Sequence, residues 1–157
     1  MKVTIMLADA AQAVNGKLYI IGGGWSVTGP APTAYAIALK VEVPWDETNK
    51  RHTLVLRLLD EDGRPVRVAA PNGEQVPLEI PADFEVGRPA GVLAGSPIDM
   101  PVVVNIGPMP LHAGRRFVWR LFIDGRSDPG WDVGFATRAA PASPKTPGQG
   151  GPPTQPA

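Results

Sequence analysis

One stretch decides the fold of this chain: LADAAQAVNGKLYIIGGGW, residues 7–25. Apolar residues lie on both sides of Asn15-Gly16, a pair that supplies the positive φ angles of a tight hairpin turn. We therefore predict one strand over residues 2–10 and a second over residues 17–21. The three glycines at 22–24 then predict a bulge or sharp bend ahead of Trp25, because glycine lets a strand twist or cross to another sheet.

A run of glycines can also cradle a phosphate, provided that its N–H groups converge at the start of a helix. The residues that follow here, WSVT at 25–28, have strand character, and Pro30 and Pro32 oppose a helix. No P-loop lysine follows the glycines. The sequence therefore favours a bend over a nucleotide loop.

Beyond this opening, prolines punctuate the chain every few residues from Pro30 to Pro110, and no amphipathic helix is found. Proline breaks helices and central strands alike, so the segments between prolines are short. Several of them alternate between apolar and polar residues, which is typical of half-buried strands. Besides the first two strands, we predict strands over residues 34–43, 52–59, 65–68, 98–106, 116–124 and 131–137. Weaker signals allow short strands over residues 76–80 and 84–86.

Seven to nine short strands joined by turn residues predict an all-β fold, specifically an antiparallel β-sandwich of the Ig-like or C2-like kind. Residues 1–138 are expected to form this one domain. The remaining residues, 139–157, are rich in proline and glycine and lack aromatic and large aliphatic side chains. They cannot bury enough apolar surface to offset the entropy of ordering, so we predict a disordered tail.

Composition argues against several classes of function. Fifteen basic residues balance fifteen acidic ones, whereas nucleic-acid binding usually needs a basic face. The chain has no cysteine, so disulfides and thiolate metal sites are excluded. The apolar segment 3–8 is too short for a signal peptide, and no apolar run reaches the roughly 18–20 residues of a membrane helix. We expect a cytoplasmic protein with no cofactor, no nucleic-acid partner and no membrane span.

Aspartates give weak candidates for a metal site. Asp60 and Asp124 each end a strong predicted strand, so their turns, together with Asp62, could share one end of the sandwich. Hard cations want several carboxylate oxygens, and Asp128 and Asp132 would enlarge the set. The alternative is that aspartate is simply a good turn former, and the spacing is not that of an EF-hand. A C2-like module that binds calcium or anionic lipid is accordingly the second hypothesis.

Catalytic signatures are weak. A hydrolytic triad needs a nucleophile placed against a base, but Ser26, Ser96 and Ser127 lie in no nucleophile-elbow motif. The two histidines, His52 and His112, are expected at exposed positions, in a strand start and in a turn. No catalytic residue is assigned, and an enzyme of unrecognised type is the third hypothesis. A histidine within hydrogen-bond reach of a carboxylate in a pocket would support it.

Tryptophans provide the candidates for protein binding. Trp45 and Trp131 adjoin loops and Trp25 follows the glycines, whereas Trp119 lies in an alternating strand and is expected in the core. Partly exposed tryptophans often anchor interfaces, although a plug at the end of the sandwich is the alternative. Unpaired strand edges offer a route to self-pairing or peptide addition. The leading hypothesis is a non-enzymatic binding or assembly module whose partner is another protein or copies of itself.

Three segments carry a resemblance to a known family. They are residues 9–25, with the pattern DxAQ…GKLYIxGGGW; residues 60–63, DEDG; and residues 117–125, FxWxLxIDG, with Phe117 where the family has tyrosine. Together they resemble a bacterial, largely actinobacterial family of short uncharacterised proteins. The resemblance spans about residues 2–138. It implies the sandwich and no known activity.

Overall fold

The computed structural model describes residues 1–142, which form an all-β fold with two short 3₁₀ turns at Trp45–Glu47 and Pro129–Trp131. Its strands are β1 (Lys2–Val14), β2 (Lys17–Gly23), β3 (Val27–Thr28), β4 (Tyr35–Val43), β5 (Arg51–Asp60), β6 (Arg67–Ala69), β7 (Gln75–Pro77), β8 (Glu79–Glu85), β9 (Ile98–Ile106), β10 (Arg116–Ile123) and β11 (Asp132–Thr137).

The strands build two packed sheets. One has the order β2-β1-β4-β9, the other has the order β3-β11-β10-β5-β8, and β6 and β7 form a separate two-stranded hairpin. Neighbouring strands are antiparallel except β3, which runs parallel to β11. Leu7 and Leu39 of the first sheet share one core with Leu56 and Leu121 of the second. The predicted β-sandwich is confirmed.

A polar contact within the core joins the two sheets. Trp119 on β10 is fully buried, as its alternating strand predicts, and its indole Nε1 donates a hydrogen bond of 3.0 Å to the hydroxyl of Tyr35 on β4. Burial raises the pKa of Tyr35 to about 12, and the bond from Trp119 offsets part of that effect. The contact therefore satisfies two polar groups that would otherwise be costly to bury.

The β1–β2 hairpin folds back over its own sheet. β1 runs on to Val14, beyond the predicted end at residue 10; it pairs with β4 in its first part and with β2 in its second. As a result Ala36 and Ala38, which point away from the main core, are also buried. The small cluster that covers them contains Ala11, Met6, Ile20 and Val103. Alanine side chains are short enough to let the hairpin lie close to the sheet.

The glycines at the end of β2 form the predicted bend. Gly22 and Gly24 have φ angles of 60° and 85°, which favour glycine. A Cβ on Gly22 would overlap the carboxylate of Asp9, its neighbour across the hairpin. Beyond the glycines the chain leaves the first sheet, and β3 joins the second. The glycines thus allow the chain to cross between sheets.

β8 differs from its prediction. The residues predicted as two segments, 76–80 and 84–86, instead form β7 (Gln75–Pro77) and the longer β8 (Glu79–Glu85), and β8 runs through Pro81. Proline is tolerated because β8 is an edge strand that pairs in its sheet only with β5.

The last strand ends at Thr137, one residue before the predicted domain boundary at residue 138. That boundary and the disordered tail stay predictions. Residues 143–157 of that tail lie outside the described residues.

Within residues 1–142 no helix is long and apolar enough to cross a membrane.

Trp119→Ala should lower the free energy of unfolding by about 3–5 kcal/mol, because it empties a fully buried site and leaves the hydroxyl of Tyr35 without its donor. Urea unfolding followed by circular dichroism measures the loss. Val76→Ala, on the exposed β6–β7 hairpin, is the control and should be nearly neutral. A loss below about 1 kcal/mol for Trp119→Ala would contradict this placement of Trp119.

Gly22→Ala should destabilise the protein more than Gly24→Ala. Both variants force a residue with a Cβ into the left-handed region, at a cost of roughly 1–2 kcal/mol. Only the alanine at 22 also meets the Asp9 carboxylate, since a Cβ at 24 has open space. Thermal unfolding measures the gap, which should narrow when Asp9→Ala is added. A gap that is unchanged by Asp9→Ala would rule out the overlap as its cause.

Candidate functional site

Trp25 packs against aromatic residues of the core. Its ring meets Tyr35 and Phe135 edge to face, with centroid separations of 5.5 and 6.1 Å, and Phe135 stacks on Phe117 at 5.5 Å. The indole is partly buried against the main core. The bend at the glycines therefore delivers Trp25 to an aromatic cluster between the sheets, which covers part of its surface.

Trp45 and Trp131 lie at one end of the sandwich. Trp45 borders a cleft of about 470 Å³ and Trp131 one of about 390 Å³, and Met1 borders both. The guanidinium of Arg88 lies 4.3 Å from the centre of the Trp45 ring, and its Nη2 donates to the Trp45 carbonyl at 2.9 Å. One face of the Trp45 indole is thus covered by a cation. Both indoles are partly buried and act as walls of open clefts.

His52 lies at the same end, and the expectation that it is exposed is wrong: it is 3% exposed. Its Nδ1 is 2.7 Å from Oδ2 of Asp124, and its Nε2 is 2.8 Å from the carbonyl oxygen of Glu47. A carbonyl and a carboxylate can only accept, so both ring nitrogens must donate. The geometry therefore calls for an imidazolium that faces an ionised Asp124.

The same contacts shift the pKa values of the pair. Burial alone would lower the pKa of His52, but the bonds to the Glu47 carbonyl and to Asp124, with the charge of that carboxylate, outweigh it and raise the pKa. The hydrogen bond from His52, followed by the one from the Thr53 N–H, lowers the pKa of Asp124. Each partner favours the charged form of the other.

The His52–Asp124 pair acts as a staple. Oδ1 of Asp124 accepts the Thr53 N–H at 2.9 Å, and the Asp124 N–H donates to the Thr53 carbonyl at 3.0 Å. The pair thus ties the end of β10 to the start of β5, and Glu47 adds the 3₁₀ turn that carries Trp45. Although Asp124 borders a cleft, both nitrogens of His52 are engaged. The histidine has no nitrogen left to move a proton to or from a substrate.

The aspartates are not brought together. β5 and β10 are antiparallel with Phe117 opposite Asp60, so Asp60 and Asp124 lie at opposite ends of β5, and the expectation of a shared end is wrong. Asp60 Oδ1 instead accepts the backbone N–H groups of Asp62 and Arg64, at 3.0 and 2.8 Å, which shapes a turn. Within residues 1–142 no three histidine or acidic side chains form a group that could hold a metal ion.

His112, in contrast, is exposed in a loop as predicted. It borders a cleft of about 210 Å³ together with Asp60 and Arg115. Its backbone carbonyl accepts a bond of 2.7 Å from the hydroxyl of Thr137. The residue therefore helps to dock the loop before β10 onto β11 through its main chain.

The most exposed apolar strand surface lies on β2. Tyr19 and Ile21 are 56% and 69% exposed, and they stand opposite Gln12 and Ala10 of β1 on the outward face of the hairpin. In the described part of the chain β2 pairs only with β1, so its other edge carries no strand. We call this surface, Tyr19 and Ile21 with the free edge of β2, the hairpin edge.

Sequence reasoning did not single out Tyr19 and Ile21. The signal was present in KLYII, residues 17–21, which is apolar on both faces after its lysine. Such a strand is either buried on both sides or leaves one apolar side in water. Ile20 turns toward the alanines of β4, so Tyr19 and Ile21 necessarily turn away from them.

A family model matches residues 3–130, more than half of the chain. The chain belongs to DUF6941, a family of unknown function. The predicted membership of an uncharacterised family is thereby confirmed. Neither a curated protein nor a solved structure matches the chain.

Asp124→Asn should remove the pH dependence of the stability that the His52–Asp124 pair contributes. Asparagine tolerates the φ of 50° at this position, can accept the Thr53 N–H, and can donate to Nδ1 of a neutral His52. In the native protein, the raised pKa of His52 adds stability. This contribution is present below pH 6.5, the ordinary pKa of histidine, and is lost as the pH rises through the folded-state pKa. The lowered pKa of Asp124 adds stability that is present above 3.8 and lost as the pH falls through its folded-state pKa.

We therefore expect the free energy of unfolding of the native protein to exceed that of the Asp124→Asn variant by about 1 kcal/mol near pH 5.5. This value is reduced because Asp124 is partly exposed, which weakens the ion pair. The difference should shrink toward pH 8.5, as urea unfolding at both pH values will show. Asp128→Asn is the matched control, because Asp128 caps Gly130 and touches no histidine. The same trend in both variants would contradict the assignment to His52.

Proposed function

We propose that this protein is a non-enzymatic binding module whose partner is a protein, and that the hairpin edge is the contact surface. The observation that carries the proposal is the exposure of Tyr19 and Ile21, 56% and 69%, on a strand whose outer side is free of any strand of residues 1–142. Exposed apolar side chains beside unpaired backbone groups are what strand addition uses. Burial of a large apolar side chain contributes about 1.5–3 kcal/mol.

The packing of the β1–β2 hairpin against its own sheet supports the choice of the hairpin edge as the contact surface. Ile20, between the two exposed residues, packs with Ala36 and Ala38, so the hairpin is held by its own sheet before any partner arrives. A preorganised surface loses little conformational entropy on binding. The tryptophan end of the sandwich is less suited, because Arg88 covers one face of Trp45.

The geometry of His52 supports the non-enzymatic part of the proposal. Its two nitrogens are hydrogen-bonded to Glu47 and Asp124, at 2.8 and 2.7 Å, so the one buried histidine of the described residues has a structural role.

We also propose a bacterial source and a cytoplasmic setting. The composition, rich in alanine, arginine, glycine and proline, is typical of a GC-rich bacterial genome.

Site-specific photo-cross-linking in the native host tests the proposal. A benzoylphenylalanine at position 19 or 21 should give a discrete adduct with a protein, and Ile21→Lys should abolish the adduct formed from position 19. Position 93 is the control, because Leu93 is 79% exposed but lies outside any strand. The proposal fails if position 93 gives the same adducts, or if positions 19 and 21 give none.

A further inference from the structure

We propose that the partner at the hairpin edge is a second copy of this chain. In this arrangement β2 pairs antiparallel with β2 of the second copy about a two-fold axis through Ile20, which joins two hairpins into one β1-β2-β2-β1 sheet. The inference rests on the proposed function and names the partner for the same surface. Because a two-fold interface uses the same patch on both subunits, the patch has to complement itself.

The length and pattern of β2 meet that condition. β2 has seven residues, Lys17–Gly23, and Ile20 is the central one, so a two-fold axis at Ile20 places residues 19–21 of the two copies opposite one another, short of the bend that begins at Gly22. Tyr19 then stands opposite Ile21 of the second copy on both sides of the axis. Aromatic residues opposite β-branched residues are favourable cross-strand pairs. Ile20 of both copies stays on the face that packs on the alanines.

Other registers fit less well. A two-fold axis at Tyr19 would place Lys17 opposite Ile21 of the second copy, a charge against an aliphatic side chain. An axis at Ile21 would place Tyr19 opposite Gly23, which offers no side chain to pack against. Side chains alternate with a period of two, so every shift along the strand changes all of these pairs together.

Charge also favours the antiparallel pairing of two copies. Lys17 is the one charged residue of β2, and in this register the two lysines lie at opposite ends of the pairing, far from each other. A parallel pairing would bring the two lysines side by side. Across the whole chain fifteen basic residues balance fifteen acidic ones, so the copies have no net charge with which to repel each other.

The other sheet edges of the described residues are protected against such pairing. β9 contains Pro101, β8 contains Pro81, β3 has only two residues, and β6 and β7 of the separate hairpin have three residues each. Proline and short edge strands are devices that block strand addition. β2 carries neither device, which singles out the hairpin edge as the place for a second copy.

Cysteine cross-linking tests the pairing without background, because the chain has no cysteine. Full-length Tyr19→Cys and Ile21→Cys proteins are oxidised separately and as an equimolar mixture. Opposite positions in an antiparallel pair have Cβ atoms about 4.5–5.5 Å apart, whereas diagonal positions are roughly 7–8 Å apart. The mixture should therefore give at least several-fold more disulfide-linked dimer than either protein alone. Leu93→Cys, mixed with each, is the control.

Sedimentation of the unmodified chain supplies the second measurement. A monomer–dimer equilibrium is expected, and Ile21→Lys should raise its dissociation constant at least tenfold, while Leu93→Lys leaves it unchanged. A strict monomer up to millimolar concentration, or equal cross-linking by the single variants and their mixture, overturns the inference. If the photo-cross-linker at position 19 then captures a different protein, the proposed function survives alone. If it captures nothing, both proposals fail.

Discussion

The structure depends on the close approach of the β1–β2 hairpin to the outer face of its own sheet. Ala36 and Ala38 are fully buried there, although they point away from the main core, because Ile20 and its neighbours cover them. Longer side chains at these positions would hold the hairpin away from the sheet. The approach anchors one face of β2, and in doing so it leaves Tyr19 and the free edge of the strand facing water.

Two polar contacts hold other parts of the sandwich in position. The bond from Trp119 to Tyr35 joins the two sheets, and the His52–Asp124 pair joins strands and a turn at one end. Such contacts add modest net stability, because the groups lose their water when they are buried. What they contribute is a defined position for each segment, since a buried donor without its acceptor is costly.

Local pattern was a good guide to the elements and a poor guide to how their ends meet. Alternation placed Trp119 in the core, and the glycines marked the bend before Trp25. Asp60 and Asp124 were grouped wrongly because a strand end says nothing about which end of the sheet it occupies. The burial of His52 escaped prediction because its partners lie 5 and 72 residues away in the chain.

The sequence by itself determined most of the strands, the inward faces of those that alternate, and the tight turns, because these follow from alternation and from the φ angles that glycine and asparagine allow. It also determined that the chain lacks cysteine chemistry and a net charge. Only the tertiary structure decided which apolar face of β2 is covered and which is left in water. That choice depends on a contact between β2 and the distant alanines of β4, and side-chain alternation within β2 cannot distinguish the two faces when both are apolar.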